Sequence, residues 1–475
     1  MPPHIPLGHS PATAPALLTS LAIAVVFGLA SWLTVRELRA SRSVLWLTRA
    51  VAFEVWILLA GYLLSATGGL GEPAAWLGAG AVACLLAIAI GPRFRCFDPP
   101  NPSPRPEASI PAERLLTRGL FAIVVVQAVT ILISAPSHWD SLTYHLPRAG
   151  YALQAGTLER FDANYWAQVD QPWNATLLVV FAMQIAARSD VLVEAPQFAS
   201  WLATALAAYV LARSIGASRS GARMAAAWFA LSTHALTQAI TVQSDPVVTA
   251  NLGIALALIA HAGAHRSAAN ALLVPAGLAF GIAAGTKVTA IVALPALAAA
   301  MWCSLHGTQP WQLRCKLGAS AALGILLFAL PAGYVDNCFV HGHPLGSKEV
   351  RRSHTFEDIP WPDRLPLAAK NAARFAVDAA STESRWLGSL DQFVRKGYAA
   401  VLGPLGLEAA DHVRQPFRFD RPPGPLADSS YCGLVLPLVF LPALGFLLWR
   451  WRLAPAMVRW CGIGILLYLL IQSAI

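Results

Sequence analysis

Residues 137–158 read SHWDSLTYHLPRAGYALQAGTL and follow directly on the apolar run TRGLFAIVVVQAVTILISA. Within a dozen positions they offer a carboxylate (Asp140), a phenol (Tyr144), an imidazole (His145) and a guanidinium (Arg148). Comparable groups recur at the edges of later apolar runs: Asp245 in TVQSDP, Lys287 in GIAAGTKVTA, and Asp336, Asn337, His341 and His343 in YVDNCFVHGHPLG. Residues of these types can carry out a transfer reaction. A carboxylate within hydrogen-bond reach takes the proton of an incoming hydroxyl. Lysine and arginine hold a phosphate as it leaves and gathers charge. The rings of Trp139, Tyr144, Tyr165 and Trp166 suit both a membrane interface and the face of a sugar.

Each residue also has an ordinary structural use. Asp140 follows Ser-His-Trp and is a natural N-cap for the next helix. Asp245 precedes Pro246 and reads equally as a cap of the following span, with proline at its first helical position. Lys287 at a helix junction can snorkel to headgroups. His341 and His343 form an HxH pair, but a metal needs further ligands at set distances. It is the shared placement of these residues that favours function, because ionisable groups at a bilayer boundary are costly to keep.

The elements that must position them are membrane helices. The chain has 475 residues, 56% of them hydrophobic and only 12% charged, and a mean hydropathy of +0.55. Ordinary globular chains carry about 25% charged residues, so half of the usual solvating surface is missing. The apolar residues come in blocks of membrane-crossing length bounded by Arg, Pro and Gly. No alternating barrel pattern is present. The formal charge of +9 would suit nucleic acid in a soluble protein. Here the excess arginine lies in short loops between apolar runs, the pattern of cytoplasmic retention, so no nucleic-acid partner is expected. Seven scattered cysteines show no CxxC and no zinc spacing. The first apolar run lacks a basic leader and an AxA-like exit and reads as a retained helix.

Twelve spans are expected, near 14–35, 44–65, 74–91, 116–135, 191–212, 224–242, 246–263, 270–285, 288–304, 317–335, 431–449 and 457–474. Alternating sides puts every arginine cluster in the cytoplasm: Arg36, Arg39 and Arg42; Arg93 to Arg118; Arg213, Arg219 and Arg223; Arg314 and Lys316; Arg450, Arg452 and Arg459. The segment 172–187 would break this alternation as a span and is read as an amphipathic helix at the outer interface. All the candidate site residues then share the extracytoplasmic face of a multi-pass inner- or plasma-membrane protein. Four regions follow: an N-terminal three-span extension with a Pro-rich linker (1–115), a catalytic membrane core (116–335), an extracytoplasmic loop (336–430) and a closing pair of spans (431–475). Neither a P-loop nor a GxGxxG followed by an acid appears. An activated lipid donor fits that setting, since nucleotides are confined to the cytoplasm.

These pieces resemble the polyprenyl-phosphate-sugar-dependent glycosyltransferases of the GT-C fold, the superfamily of protein O-mannosyltransferases and lipid A aminoarabinose transferases. The resemblance spans about 116–350 and keeps the family's order. An acidic first-loop motif (WDSLTYHLPRAGYALQAGTL) comes first, then a span ending LARSIGASR, the QSDP acid, the glycine-rich GLAFGIAAGTKVTAIVALPAL, and DNCFVHGHPLG. It implies an all-α, GT-C type protein that transfers a sugar with inversion, Asp140 serving as general base. Tyr144, His145, Arg148, Asp245, Lys287, His341 and His343 are the expected substrate-binding residues. The partners implied are a polyprenyl-phosphate sugar, a lipid, protein or polysaccharide acceptor, and membrane lipid. Some relatives bind a divalent metal and others none, so no cofactor is fixed.

The chain departs from the family pattern in places. Many members carry two adjacent acids in the first loop, whereas Asp140 is followed by Ser141, leaving Glu159 or Asp162 to substitute. DQPWNATLL has Gln-Pro-Trp where relatives often have His- or Lys-Pro-Pro. With a span ending at Ile475, acceptor recognition rests largely on 336–430, or the chain is shorter than its relatives. Two other classes compete: a transporter or lipid-linked-sugar flippase using Asp245 and Lys287, and a scaffold that kept the fold without catalysis. Transporters usually show inverted repeats with polar groups near the midplane; here no repeat is visible and the polar groups lie at one surface.

Overall fold

The computed structural model describes residues 13–97, 111–295, 297–298, 302, 311–355, 358–379, 388–408 and 449–450. Helices dominate it: α1 (Ala14–Thr34), α2 (Arg42–Ala66), α3 (Pro73–Ile90), α4 (Pro111–Ile133), α5 (Leu146–Ala155), α6 (Asn174–Ile185), α7 (Ala195–Ser214), α8 (Arg219–Ala230) and α9 (Thr233–Gln238). They continue as α10 (Asp245–Ala264), α11 (Arg266–Ala284), α12 (Thr289–Val292), α13 (Trp311–Gly324), α14 (Tyr334–His341), α15 (Lys348–His354), α16 (Trp361–Ala379) and α17 (Gly388–Leu402). One short parallel pairing, Leu38 with Cys96 and Arg39 with Phe97, accompanies them. Among the described residues, eight helical stretches are long and apolar enough to cross a membrane: α1, α2, α3, α4, α7, α10, α11, and α13 with its continuation to Ala332.

Eight of the expected spans match these helices within a few residues. The sixth, 224–242, is broken: α8 stops at Ala230, and Ser232, whose Oγ donates back to Phe229 O at 2.8 Å, precedes a separate α9. Of the ninth, 288–304, the described part is the four-residue α12 and the turn that follows. The last two expected spans lie outside the described residues, apart from Trp449 and Arg450.

The segment 172–187 is helical but not amphipathic. From Asn174 to Ala182 every side chain of α6 is buried, as a helix apolar on all sides must be. Its twelve residues extend about 18 Å, too short for a core of about 30 Å. Both ends are tied to the same end of the bundle. Asn174 meets Tyr62 and the Ile282 carbonyl, while Gln184 donates to Leu70 O and accepts from Ser20 Oγ. The helix therefore lies across that end.

Contacts between helix termini show which ends meet. At the far end, Ser31 Oγ donates to Arg49 O, Glu113 accepts from Ser220 and Arg223, and Lys316 Nζ donates to Asn270 O at 2.7 Å. The opposite end gathers the start of α10, the ends of α2, α4, α11 and α13, and all of α5 and α6. The first three helices share a core with α5 and α6, in which Phe27, Trp76 and Phe181 stack edge to face or tilted.

α11 runs between α10 and α13. Gly277, Gly281 and Gly285 form one stripe at four-residue spacing, and it lies on the backbone of α13. A Cβ at Gly277 would stand 2.6 Å from Ala321 N, and one at Gly281 would overlap Gly324. Small residues of this kind let membrane helices approach by dispersion contact. Gly281→Ala should therefore lower stability by about 1–3 kcal/mol or prevent folding. Gly318→Ala on α13, where an added Cβ meets nothing, should leave it unchanged or slightly raised. Thermal unfolding of purified protein in one detergent checks both; equal midpoints would contradict the close packing.

Candidate functional site

The first-loop motif forms one continuous helix from Trp139 to Ala155, with a wide π-turn at Ser141–His145. Its cause is local. Pro147 lacks an N–H, so the Thr143 carbonyl has no ordinary helical partner; it accepts instead from Gln168 Nε2 at 2.7 Å. Asp140 lies inside this helix with α dihedrals, and its side chain caps nothing. It is half-buried and accepts from Gln243 Nε2 at 3.2 Å. Ser141 Oγ accepts from Val242 N at 2.9 Å. The stretch preceding α10 is thereby fastened to the Asp140 helix.

Two residues after Gln243, Asp245 opens α10, while Ser244 takes the cap position. The Asp245 carboxylate receives Lys287 Nζ on both oxygens, at 2.8 and 3.0 Å. Lys287 follows the end of α11, so the pair joins two helices at the Asp140 end of the bundle. Tyr144 faces both acids: burial, then the charges of Asp140 and Asp245, push its phenol above the ordinary range. It is a neutral donor beside two carboxylates. Tyr165 meets the Tyr144 ring edge-on at 6.1 Å, and Trp139 is exposed, which gives the carboxylate an aromatic margin.

His145 and Arg148 lie one turn deeper. His145 is buried, and burial, then the Arg148 charge, lowers its pKa to about 3. Arg148 is 1% exposed. It donates to Gln171 O at 2.6 Å and Pro172 O at 3.2 Å, and its guanidinium stacks over Trp173 at 4.0 Å. Burial lowers its pKa to about 9, so it stays cationic at neutral pH. Expected to hold substrate, Arg148 instead holds the chain leading into α6.

A second polar cluster joins the two long loops. The Asp170 side chain, 2% exposed, pairs with Arg160, lies 3.1 Å from His341 Nε2 and accepts from Ser347 N at 3.1 Å. Burial opposes its charge, yet the Ser347 and Arg160 hydrogen bonds together keep the carboxyl below its usual range. Arg160 also reaches Asp336 at 3.0 Å and Asn337 Oδ1 at 2.9 Å. Gly346, with φ +99°, lets the backbone pass where a Cβ would lie 2.9 Å from Asp170; a side chain would be strained there. His341 thus belongs to a strap between loops. His343 turns inward on its own segment, its Nδ1 accepting from Leu345 N at 3.2 Å.

The structure brings Asp140, Tyr144, His145, Asp245 and Lys287 together and sets His341 in the neighbouring cluster. Glu159 and Asp162 are exposed; Asp245 is the carboxylate that faces Tyr144 together with Asp140. Gln243, Arg160 and Asp170 were not singled out from sequence. Gln243 was legible in QSDP, whereas nothing in LERFDANYWAQVDQPWN separates Arg160 and Asp170 from other loop charges. Among the described residues, no group of three or more His, Cys, Asp or Glu could hold a metal ion; arginine or lysine already occupies the nearest sets. Comparison with protein-family models, with curated proteins and with solved structures returns no match.

A histidine whose folded pKa lies below its unfolded value of about 6.5 adds stability that is full above 6.5 and is lost as pH falls toward 3. Between pH 6.5 and 4.5 the His145 contribution should fall by roughly 2 kcal/mol. His145→Asn should show a flatter decline of unfolding midpoint over that interval than the unaltered chain. Parallel declines would mean that His145 is not buried in its neutral form.

Proposed function

We propose that this chain is a membrane glycosyltransferase of the GT-C type, moving a sugar from a polyprenyl-phosphate carrier to an acceptor hydroxyl on the extracytoplasmic face. The observation that carries the reading is the Asp140 environment. A half-buried carboxylate that caps nothing is oriented by Gln243, and the phosphate-competent Lys287 is held by Asp245 on the adjoining segment. In this reading the acceptor oxygen attacks the anomeric carbon as Asp140 takes its proton. The bond from that carbon to the phosphate oxygen breaks on the opposite face, which inverts the centre. The electron pair leaves with the phosphate, whose growing charge meets Lys287. Tyr144 donates as a neutral phenol, and Trp139 and Tyr165 offer faces for the sugar ring. The two loops stand on the outer side of a twelve-span bundle, with the arginine-rich loops in the cytoplasm. No step is routed through a metal.

The reading is tested by transfer of sugar from a panel of polyprenyl-phosphate sugars to total envelope extract in proteoliposomes. Asp140→Asn should lose about 10²–10⁴-fold in turnover, with an unfolding midpoint close to that of the unaltered chain, because its partner is a side-chain amide at the site's edge. Turnover equal to the unaltered chain's would exclude Asp140 as the base.

A further inference from the structure

Among the described residues of the second long loop, α16 and α17 form a pair of helices with one covered face and one exposed face. Tyr398, Ala399 and Leu402 of α17 pack with Leu407 against Ala373 of α16, and Arg374 Nε donates to Leu407 O at 2.8 Å. That contact occupies one side of α17. On the other side Phe393 and Val401, both 74% exposed, lie on one stripe with the exposed Ala400, and Leu405 extends it beyond the helix end. On α16 the spacing is four: Trp361 and Leu365, each 79% exposed, then the exposed Ala369. The Arg364 guanidinium stands over the Trp361 ring at 5.0 Å.

Soluble surfaces rarely keep apolar stripes of this length uncovered. Two features indicate what covers them. First, exposed apolar residues occur both on the membrane-length stretch Trp311–Ala332 (Leu323, Leu326, Leu330) and on α14 (Val335, Phe339, Val340), the segment that leads into this loop. Apolar exposure of the kind that faces lipid along a membrane helix thus recurs beyond its end. Secondly, a tryptophan carrying an arginine at the head of an amphipathic helix is the chemistry of the headgroup boundary, where the ring straddles apolar and polar layers and the cation meets phosphate. Lys396 flanks the α17 stripe in the same sense.

We propose that α16 and α17 form a membrane-surface anchor, with Trp361, Leu365, Phe393, Val401 and Leu405 seated at the boundary between headgroups and acyl chains of the bilayer. The anchor ties the part of the second loop between Trp361 and Leu405 to lipid, while the Arg160–Asp170 strap ties its near end to the first loop. It holds whichever reaction the site performs.

Full-length protein is reconstituted into vesicles of phosphatidylethanolamine and phosphatidylglycerol, with and without bromine on the acyl chains. Val401→Trp adds a reporter on the stripe, and Gln392→Trp adds one on the exposed flank of the same helix. The emission each adds to the parent spectrum is then compared. The Val401→Trp emission should be blue-shifted and quenched at least twofold by brominated lipid, and that of Gln392→Trp should be little quenched. Red-shifted, unquenched emission at 401 would mean that water covers the stripe. Blue-shifted but unquenched emission would mean that a protein surface, a second copy included, covers it. Either result overturns the proposal.

Discussion

Two long helices, α2 and α11, meet on one side chain of α6 that has no exposed surface. Asn174 accepts from the Tyr62 hydroxyl of α2 and donates through Nδ2 to Ile282 O of α11 at 3.0 Å. Its own N–H points to Gly285 O, and the preceding Trp173 N–H bonds to Ala332 O at the end of α13 at 2.9 Å. Each buried polar group left unpaired costs about 1–3 kcal/mol, so this carboxamide admits few other arrangements of its neighbours. Gly285 must stay a glycine for the approach, because a Cβ there would overlap both Phe328 O and Asn174 Nδ2. Arg148 then stacks on Trp173 and holds Gln171 and Pro172. The helix bearing Asp140 is thereby keyed to the membrane bundle through one short run of chain.

Outward from that knot, charge is arranged in two sets with different character. The Asp245–Lys287 pair is half-exposed, with side-chain exposures of 47% and 31%, so Lys287 can leave Asp245 for another anion at modest cost. Asp170 is buried and surrounded by donors from both loops. Removing a single partner from such a set leaves a charge without compensation. One set is built to open and the other to stay closed, which suits a binding point beside a structural strap.

Much of this was legible in the sequence where a physical period or a cost made it so. Hydropathy located the eight long helices because a span needs about twenty apolar residues. The cost of ionisable groups at a boundary pointed to Asp140, Asp245 and Lys287. What escaped depends on contacts between distant segments. The break at Ser232 follows no proline or glycine, and the arginine alternation that keeps 172–187 from counting as a span does not separate a surface helix from one buried on every side, as α6 is from Asn174 to Ala182. Arg148 looked like a phosphate ligand by type, and its partners proved to be backbone carbonyls that no pattern announces. Arg160 and Asp170 are ordinary loop charges until Asp336, Asn337 and His341 fold against them.

The central claim is that a sugar leaves its lipid phosphate at the Asp140 site, and the fate of a doubly labelled donor tests it most directly. A polyprenyl-phosphate sugar labelled on the sugar and, separately, on the phosphate is offered to the reconstituted chain with envelope extract as acceptor. The account predicts that the two labels part, the sugar appearing on acceptor and the phosphate staying with the lipid. Labels that stay together while crossing from one leaflet to the other would contradict it and identify the chain as a carrier of lipid-linked sugar.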